Sequence, residues 1–534
     1  MQMELHTTPL KLGSIQKTFE RLNKLGYNTV FLQYSDTCPF RRHKSLRGDF
    51  VYSRAQVRKI NDMATEHGLN IIPLTHSFSH SDILLNRNKY VHLAESDAKS
   101  SLCLANLESV DLMAELAEEL LELHPRAEYI HIGGDEIAQV AACPACVSAL
   151  WKCGRSGLFV EFLNKVADRF QALGVSPAVW SDMLIRFPES IDDLSRRFLI
   201  FYWDYWSSGE RQPFLTIGGG FGDMIVLDKS AIQGDFAVMV NFPSIRMLHD
   251  VPQGLAKLYR PYWELDKKEK SAKSFPYLKF FTDRKFNVLA AALPYVELGS
   301  ILPNYEEKWS HLTTAVNRIH ETGAAGGNLC HWTPHWPAFE TLWLGISIFA
   351  EGLKTPTINR KKVFNDYAQL VIGRPASDFA DAVFHVSRRF ELGDTLTPFW
   401  QVLPLEQKMQ WHRDSGLLEQ EIKNVKFIAK QIPRHLKVFQ KYARDSPHAK
   451  LFAVLSEEIL IKLDYERCLI KKRPITSALL NRLHLVIKSL RAVLNEYYIP
   501  EAVEKVLRLR FEPYLSKGRR MPKVSTSILT TAKG

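Results

Sequence analysis

The stretch "EYIHIGG" at residues 128–134 is a short apolar run that ends in two glycines, and Asp135 and Glu136 follow it directly. A run of this length beside glycine predicts a buried strand rather than a helix. The segment before it, "LESVDLMAELAEELLELH" (107–124), has helical spacing, and so has "LFVEFLNKVADRFQALG" (158–174) after it. Alternating helices and continuously apolar strands predict a parallel sheet that is covered by helices.

The same alternation extends in both directions, up to about residue 350. Eight βα units over roughly 300 residues favour a closed barrel over an open sheet. We therefore predict an α/β fold, a (β/α)8 TIM barrel over residues 1–352, with an insertion around 207–285. "MELHTT" near the N-terminus is the candidate for the eighth strand. The other predicted strands are "NTVFLQY" (28–34), "NIIPLTH" (70–76), "PAVWSDM" (177–183), "FLIFYWDY" (198–205), "FNVLAAALPY" (286–295) and "GGNLCHW" (326–332).

After this region the pattern changes to long helical runs such as "AKLFAVLSEEILIKLDYERCLI". We predict an all-α C-terminal region over residues 353–520 and a flexible tail over 521–534. The sequence leaves open whether the helical region braces the barrel, forms a homodimer or completes a cleft.

Polar and aromatic residues concentrate where the predicted strands end, whereas the strand interiors are aliphatic. In a parallel barrel these positions meet at one face, which carries the active site. Tryptophan and tyrosine rings offer flat apolar faces on which sugars stack, and carboxylates bind sugar hydroxyls. The pattern therefore predicts a carbohydrate site. The strand-end residues are Tyr34, Asp36, His76, His80, Asp135, Glu136, Trp180, Asp182, Trp203, Asp204, Tyr205, Tyr295, His331 and Trp332.

The adjacent acids Asp135 and Glu136 do not suit a glycosidase that uses two carboxylates on different strands. They suit a substrate-assisted scheme, in which the 2-acetamido oxygen of the sugar is the nucleophile. One carboxyl then protonates the glycosidic oxygen, and its neighbour holds the acetamido N–H. Consecutive side chains on a strand point in opposite directions, so both acids reach one cleft only if the chain turns. Gly133 and Gly134 permit that turn.

"HIGGDE" (131–136) together with "WSDM" (180–183) resembles glycoside hydrolase family 20, the β-N-acetylhexosaminidases. The hexosaminidase D branch is the most similar part of that family. The resemblance extends over roughly residues 4 to 350. The segments that carry it are "IIPLTHSFSHSDILL" (71–85), "LELHPRAEYIHIGGDEI" (121–137), "AVWSDML" (178–184), "WDY" (203–205) and "HWTPHW" (331–336).

This resemblance implies a retaining exo-hydrolase of terminal β-linked GalNAc or GlcNAc that needs no cofactor and no essential metal. It implies that Glu136 acts as general acid and then as general base, and that Asp135 orients and polarises the acetamido group. Its partners would be glycans or glycoconjugates that end in an N-acetylhexosamine. The implied substrate-binding residues are Trp180, Trp203, Trp332, Tyr205, His80, Asp182, Asp36 and His131.

The sequence departs from the family pattern at two places. An arginine that binds sugar hydroxyls follows the first strand in many members, and "ELHTTPLKLG" (4–13) contains none. The Trp–Glu pair of the last strand is replaced by "HWTPHW". These departures leave the choice between GlcNAc and GalNAc open, although the hexosaminidase D resemblance favours GalNAc.

Three alternatives remain for the acid pair. Acids at a strand end can cap the following helix. "GGDEI" also resembles the GGDEF signature of diguanylate cyclases, but the small ferredoxin-like domain of those enzymes has no counterpart here. A non-catalytic carbohydrate-binding or scaffold protein could use the same barrel, although it would not need a proton donor. For the tryptophans, the alternative is packing in the barrel core.

"CPACVSALWKC" places Cys143, Cys146 and Cys153 shortly after the acids. Two cysteines spaced in this way form half of many structural zinc sites, and a fourth ligand would have to come from a histidine or a distant cysteine. Free thiols in a reducing compartment are the alternative. With 7 cysteines in 534 residues, no disulfide framework is predicted.

The net charge is +11, and Lys and Arg concentrate in the C-terminal third. No zinc-finger spacing or RNA-binding signature accompanies this charge, so a solvated surface is favoured over nucleic acid. The N-terminal segment lacks the apolar core of a secretory signal, and no apolar run is long enough to cross a membrane. We therefore expect a cytoplasmic protein without a membrane partner.

Overall fold

The computed structural model describes residues 1–74, 78–137, 139–219, 222–231, 244–295, 301–332, 338–386, 410, 413 and 418–515. The predicted tail at 521–534 and the candidate site residue His76 lie outside the described residues.

Eight parallel strands form one sheet, and they lie in it in the same order as in the chain. In the described part of the chain, five short strands that belong to two smaller sheets come between the sixth and the seventh of them in sequence. This is the strand order of a (β/α)8 barrel, so the predicted fold class is confirmed. The amino group of Met1 lies near Cys330, which follows the last strand, so the two edges of the sheet approach each other. The strands are β1 (Gln2–Glu4), β2 (Thr29–Gln33), β3 (Asn70–Leu74), β4 (Tyr129–His131), β5 (Ser176–Trp180), β6 (Leu199–Trp203), β12 (Asn287–Ala292) and β13 (Gly326–Leu329).

Helices cover the outside of the sheet and connect its strands. The last of them, α10, packs on α1, α9 and β13, as the eighth helix of a barrel does. Between β5 and β6 the connecting α-helix is reduced to the 5 residues of α6. The helices of this region are α1 (Leu12–Leu25), α2 (Arg54–Glu66), α3 (Asp82–Leu85), α4 (Leu107–Leu123), α5 (Pro144–Ala172), α6 (Asp182–Arg186), α7 (Gln253–Trp263), α8 (Tyr277–Asp283), α9 (Tyr305–Thr322) and α10 (Trp343–Lys354).

Local sequence sets the ends of these helices. α2 begins with a capping box, because the Ser53 hydroxyl accepts from the Gln56 amide at 3.1 Å and the Gln56 side chain accepts from the Ser53 amide at 2.7 Å. The helix predicted from residue 158 begins earlier, at Pro144. It contains a kink at Gly154, where φ is 70°, so two helical segments join there. α5 therefore starts close to the acid pair.

The chain between β6 and β12 adds small elements beside the barrel mouth. β9 pairs antiparallel with β8 and parallel with β10, and β7 pairs antiparallel with β11. A Cβ atom on Gly219 would lie 2.5 Å from the Trp203 ring, so this region closes over the end of β6. Its strands are β7 (Arg211–Gln212), β8 (Phe214–Ile217), β9 (Asp223–Val226), β10 (Ser244–Met247) and β11 (Ala272–Lys273).

The C-terminal region is helical, as the sequence predicts, and successive helices pack on one another. Its last part joins the barrel beside β1, where the Lys11 amide donates to the Tyr497 carbonyl at 2.9 Å and the Ile499 amide donates to the Pro9 carbonyl at 3.1 Å. The helices are α11 (Arg360–Ile372), α12 (Ser377–Val386), α13 (Leu418–Tyr442), α14 (Pro447–Ile470), α15 (Ser477–Leu494) and α16 (Pro500–Leu515). None of the helices in the described ranges has both the length and the apolar character that spanning a lipid bilayer requires.

Candidate active site

The acid pair lies on a sharp turn at the C-terminal end of β4. Gly133 and Gly134 have φ values of 79° and 92°, and Glu136 has a φ of 52°. Positive φ costs glycine little but strains a glutamate, and such strain concentrates at functional sites. The turn brings both carboxylates to one side, as the two glycines predict. Asp135 is buried and Glu136 is partly exposed.

His80, from the loop after β3, contacts both acids. Its Nε2 atom lies 3.4 Å from Asp135 Oδ2 and 3.4 Å from Glu136 Oε2. Burial lowers the pKa of His80, but the charges and hydrogen bonds of the two acids outweigh burial and raise that pKa well above its usual value. The two carboxylates therefore favour the protonated form of His80.

Ser79 fixes the same turn from the other side. Its hydroxyl donates to Asp135 Oδ1 at 3.2 Å and accepts from the Gly134 amide at 2.8 Å. Sequence reasoning missed this residue, although it lies next to His80 in "SFSHSD". A serine in that position is not distinguishable by pattern from an ordinary loop serine.

Asp182, at the start of α6, supports the turn from β5. Its Oδ2 atom accepts from the Glu136 amide at 2.8 Å, and its Oδ1 atom accepts from the Trp203 indole N–H at 3.2 Å. Burial, reinforced by the charge of Asp135, raises the pKa of the Asp182 carboxyl well above its usual value. Asp182 thus holds the backbone of Glu136 and the ring of Trp203 in one arrangement.

The predicted aromatic residues form a continuous cluster. The Trp332 indole N–H donates to the Tyr205 hydroxyl at 3.0 Å. The Trp180 and Trp332 ring centroids are 5.7 Å apart, and those of Trp203 and Tyr205 are 5.0 Å apart. Only Trp332 among the three tryptophans has substantial exposure, since Trp180 is 1% and Trp203 is 9% exposed. In this structure Trp180 is therefore part of the barrel packing beneath the rim.

Two further predicted residues lie apart from the acids. His131 is 0% exposed, and its ring lies among Phe31, Trp180 and Phe201 at centroid distances of 4.7, 4.7 and 4.8 Å. It therefore lies in the floor of the barrel mouth. Its Nδ1 atom accepts from the Gly133 amide at 3.0 Å, which positions the glycine turn.

Asp36 is paired with His6, which sequence reasoning also missed. The His6 Nδ1 atom and Asp36 Oδ1 are 2.5 Å apart, and each side chain is 26% exposed. The pair lies at the ends of β1 and β2, where "ELHTTPLKLG" lacks an arginine. It therefore supplies polar, half-buried groups at that part of the rim.

The described thiols near the site group differently from the prediction. Cys143 and Cys146 lie beside Cys103 and Glu95, and the four ligand atoms are within 4.8 Å of one another. Cys153 does not join them, because it is exposed and its thiol bonds the Ala149 carbonyl at 3.3 Å. No spacing rule could have selected Cys103 and Glu95, which come from the loop after β3.

Residues 18–218 match the family model described as the catalytic domain of glycosyl hydrolase family 20. Hexosaminidase D of Homo sapiens is 30% identical over 199 residues, which are 35% of this chain and 40% of that protein. Hexosaminidase D of Bos taurus is 28% identical over 201 residues, which are 36% of this chain and 58% of that protein. The match thus spans about half the length of these curated relatives.

A solved structure of an exo-β-N-acetylglucosaminidase from Vibrio harveyi, in complex with N-acetylglucosamine, is 14% identical. The alignment covers 69% of this chain and 56% of that chain, with a TM-score of 0.42. A superposition of that quality carries no inference about the site, and the fold assignment depends on the strand order itself. The sequence match is nevertheless centred on β2 to β6, which include the acid pair, Asp182 and Trp203. Over residues 18–218, this chain is therefore related to the catalytic domain of glycosyl hydrolase family 20, as its sequence motifs predict.

Proposed function

We propose that this protein is a retaining exo-β-N-acetylhexosaminidase that removes terminal β-linked GalNAc or GlcNAc. The observation that carries the proposal is the convergence of Asp135 and Glu136 on one atom, His80 Nε2, at 3.4 Å each. A helix cap would not need both carboxylates to meet one histidine. The family match over residues 18–218 supports the same class of reaction.

The proposed reaction has two steps. First, Glu136 gives its proton to the glycosidic oxygen while the carbonyl oxygen of the substrate's 2-acetamido group attacks C1. The C1–O bond breaks, the alcohol leaves and a cyclic oxazolinium forms, whose N–H binds Asp135. Second, water gives a proton to the Glu136 carboxylate and attacks C1, which opens the ring. Two inversions at C1 leave its configuration retained.

The surrounding residues have positioning roles in this scheme. Asp182 and Ser79 hold the turn that aims the two acids. His80, which lies against both carboxylates, supplies positive charge that favours the ionised form of Asp135. Trp332 and Tyr205 offer an aromatic face and a hydroxyl at the same rim. These groups fit a sugar with an amide substituent better than a plain hexose.

The test is hydrolysis of p-nitrophenyl β-GlcNAc and β-GalNAc by the wild type, by Glu136→Gln and by Glu161→Gln. Glu161 is exposed on α5 and contacts Lys165, so its variant controls for the loss of one carboxylate. We expect the wild type to hydrolyse the substrate, Glu136→Gln to lose activity by about a hundredfold or more, and Glu161→Gln to lose no activity. Equal activity of all three would exclude Glu136 as the acid.

Two further measurements separate the steps. A 2,4-dinitrophenyl glycoside needs less protonation when its leaving group departs, so Glu136→Gln should lose less activity on it than on the p-nitrophenyl substrate. A thiazoline mimic of the cyclic intermediate should inhibit competitively, and failure to inhibit an active enzyme would contradict acetamido participation. A wild type that binds either sugar without turnover would instead support the alternative, a non-catalytic carbohydrate-binding protein.

A further inference from the structure

The loops after β3 and β4 meet in a compact cluster of three thiols and one carboxylate. The Cys103 sulfur lies 3.4 Å from that of Cys143 and 3.5 Å from that of Cys146. Glu95 Oε2 lies 3.0 Å from the Cys146 sulfur. Glu95, Cys103 and Cys146 are buried, and Cys143 is partly exposed. The cluster is thus largely closed to solvent.

These distances are close to those of a tetrahedral metal site. With Zn–S bonds of about 2.3 Å and a Zn–O bond of about 2.1 Å, tetrahedral ligands lie about 3.8 Å apart for two sulfurs and about 3.6 Å for sulfur and oxygen. The two sulfur–sulfur separations of 3.4 and 3.5 Å and the sulfur–oxygen separation of 3.0 Å are shorter than these ideals by about 0.3 to 0.6 Å, so an outward shift of the side chains accommodates an ion. Three thiolates and one carboxylate form a donor set that suits zinc.

The backbone orients these groups as ligands. Glu95 Oε1 accepts from the amides of Ala142 and Cys143, at 2.5 and 3.0 Å, which leaves Oε2 directed at the sulfurs. The Ala105 amide donates to the Cys146 sulfur, and the Cys146 amide donates to the Cys143 sulfur, each at 3.3 Å. N–H groups aimed at sulfur stabilise thiolates, and such outer contacts are typical of metal sites.

A cluster of four acidic groups needs a compensating positive charge if the groups ionise. Within the part of the chain that the structure describes, no lysine, arginine or histidine forms an ion pair with Glu95. We propose that Cys103, Cys143, Cys146 and Glu95 bind one zinc ion, which fastens the loop after β3 to the loop after β4.

This link has a direct consequence for the acid pair. The loop after β3 carries Ser79 and His80, and the loop after β4 carries Asp135 and Glu136. Their mutual contacts depend on how the two loops lie relative to each other. Cys103 and Cys143 are 40 residues apart in the sequence. A zinc ion that both thiolates bind fixes the position of one loop relative to the other. The effect on activity rests on the proposed function, whereas zinc binding does not.

The experiment begins with tag-free protein, purified without chelator, and measures zinc by mass spectrometry. We expect about one zinc per chain in the wild type, none or a small fraction in Cys103→Ser and Cys143→Ser, and about one in Cys153→Ser. Cys143→Ser is the informative variant, because Cys143 caps α5 through its side chain and serine is itself a good cap. Cys153 is the matched control, since its thiol lies outside the cluster.

A spectroscopic measurement identifies the ligands. Wild type in which cobalt(II) replaces zinc should show intense thiolate-to-metal absorption in the near ultraviolet, and Cys143→Ser should lose most of it because the variant no longer holds the ion. Protein without zinc in which titration finds a Cys103–Cys143 disulfide would overturn the proposal. So would protein without zinc in which all three thiols are free.

The two proposals can fail separately. Removal of zinc should lower the melting temperature and reduce kcat by about tenfold or more, as loss of supporting contacts does at other metal sites. Restoring zinc should recover both quantities. Stoichiometric zinc without any hydrolase activity would leave the metal site intact and exclude the proposed function, and full activity in metal-free Cys143→Ser would exclude the link between them.

Discussion

The backbone of Gly134 decides how the acid pair is presented. With a φ of 92°, it occupies a region that side chains disfavour, and a Cβ atom there would lie 2.7 Å from Phe78 Cζ and 2.8 Å from Val179 Cγ2. The turn therefore depends on glycine for two reasons, conformation and space. This turn sets the directions in which the side chains of Asp135 and Glu136 point.

We predict that Gly134→Ala lowers the free energy of unfolding by at least about 2 kcal/mol, because strain and overpacking add. Gly68→Ala is the matched control, since Gly68 has a φ of 65° and nothing within 4 Å of its added Cβ. It should cost roughly 1 kcal/mol from strain alone. Urea unfolding of the two variants measures both values. An equal cost would show that Phe78 and Val179 move aside freely.

The sequence predicted which residues lie at the strand ends better than it predicted how deeply each side chain is buried. Asp135 and Glu136 follow an apolar run and two glycines, so their place at a strand end was accessible to pattern. The alternation within a strand indicates which side a residue faces, but not how deep it lies. His131 and Trp180, which the family resemblance implies as sugar-binding residues, are 0% and 1% exposed, a depth that the alternation does not indicate.

Two helices of the C-terminal region, α14 and α16, share a buried ionic cluster. The Arg510 guanidinium donates to Glu458 Oε1 at 3.0 Å and to Oε2 at 2.6 Å, and Lys462 Nζ lies 2.8 Å from Oε1. Burial raises the pKa of Glu458, but the two cations outweigh it and the net pKa is lowered. One carboxylate thus stabilises two buried positive charges on α14 and α16.

We predict that Glu458→Gln destabilises the protein by about 3 to 5 kcal/mol, because it removes a negative charge that lies between two buried cations. The exposed pair of Arg491 and Glu504 has a comparable geometry, with distances of 2.6 and 3.0 Å. Glu504→Gln should therefore cost about 1 kcal/mol or less. Chemical denaturation compares the variants. If both substitutions lower the free energy of unfolding by the same amount, burial does not determine the cost of losing the carboxylate.

Most helices and strands could be predicted from the sequence, because hydrophobic periodicity is a local property. α2 and α4 end within two residues of their sequence patterns, and the capping pair Ser53 and Gln56 accounts for the start of α2. The start of α5 was missed because the chain leaves helical geometry at Gly154, so a helix was predicted only for the segment after it. Contacts between loops, such as that of Glu95 with Cys146, leave no periodic signal.

The barrel and the helical region meet at a buried carboxyl group, that of Glu340. The Tyr498 hydroxyl donates to Glu340 Oε2 at 3.0 Å and accepts from the Phe339 amide at 3.2 Å. Burial raises the pKa of the Glu340 carboxyl from 4.5 to about 7. The junction therefore contains a group that titrates near neutral pH.

This raised pKa makes stability depend on pH in a definite direction. Folding takes up a proton at Glu340, so its stabilising effect is fully present below pH 4.5 and is lost as the pH rises through about 7. Glu340→Gln stays neutral and can still accept from Tyr498. Between about pH 5 and pH 8 we expect the variant to gain up to roughly 3 kcal/mol over the wild type.

Thermal or urea unfolding across that pH range measures the difference. Glu161→Gln, on an exposed surface, should instead follow the wild type at every pH. A constant offset between Glu340→Gln and the wild type would show that the carboxyl does not change its charge at the junction.

The same junction joins segments that lie far apart in the chain, and this has a consequence for synthesis. Lys11 Nζ bonds the carbonyl of Asn495, 484 positions later, and the chain beside β1 is held by Tyr497 and Ile499. A ribosome that adds about 5 to 20 residues per second needs roughly 25 to 100 seconds to bridge that separation. Throughout that interval the segment after β1 has no partner for these bonds. The segment after β1 is thus among the parts of the chain that wait longest for their hydrogen-bond partners.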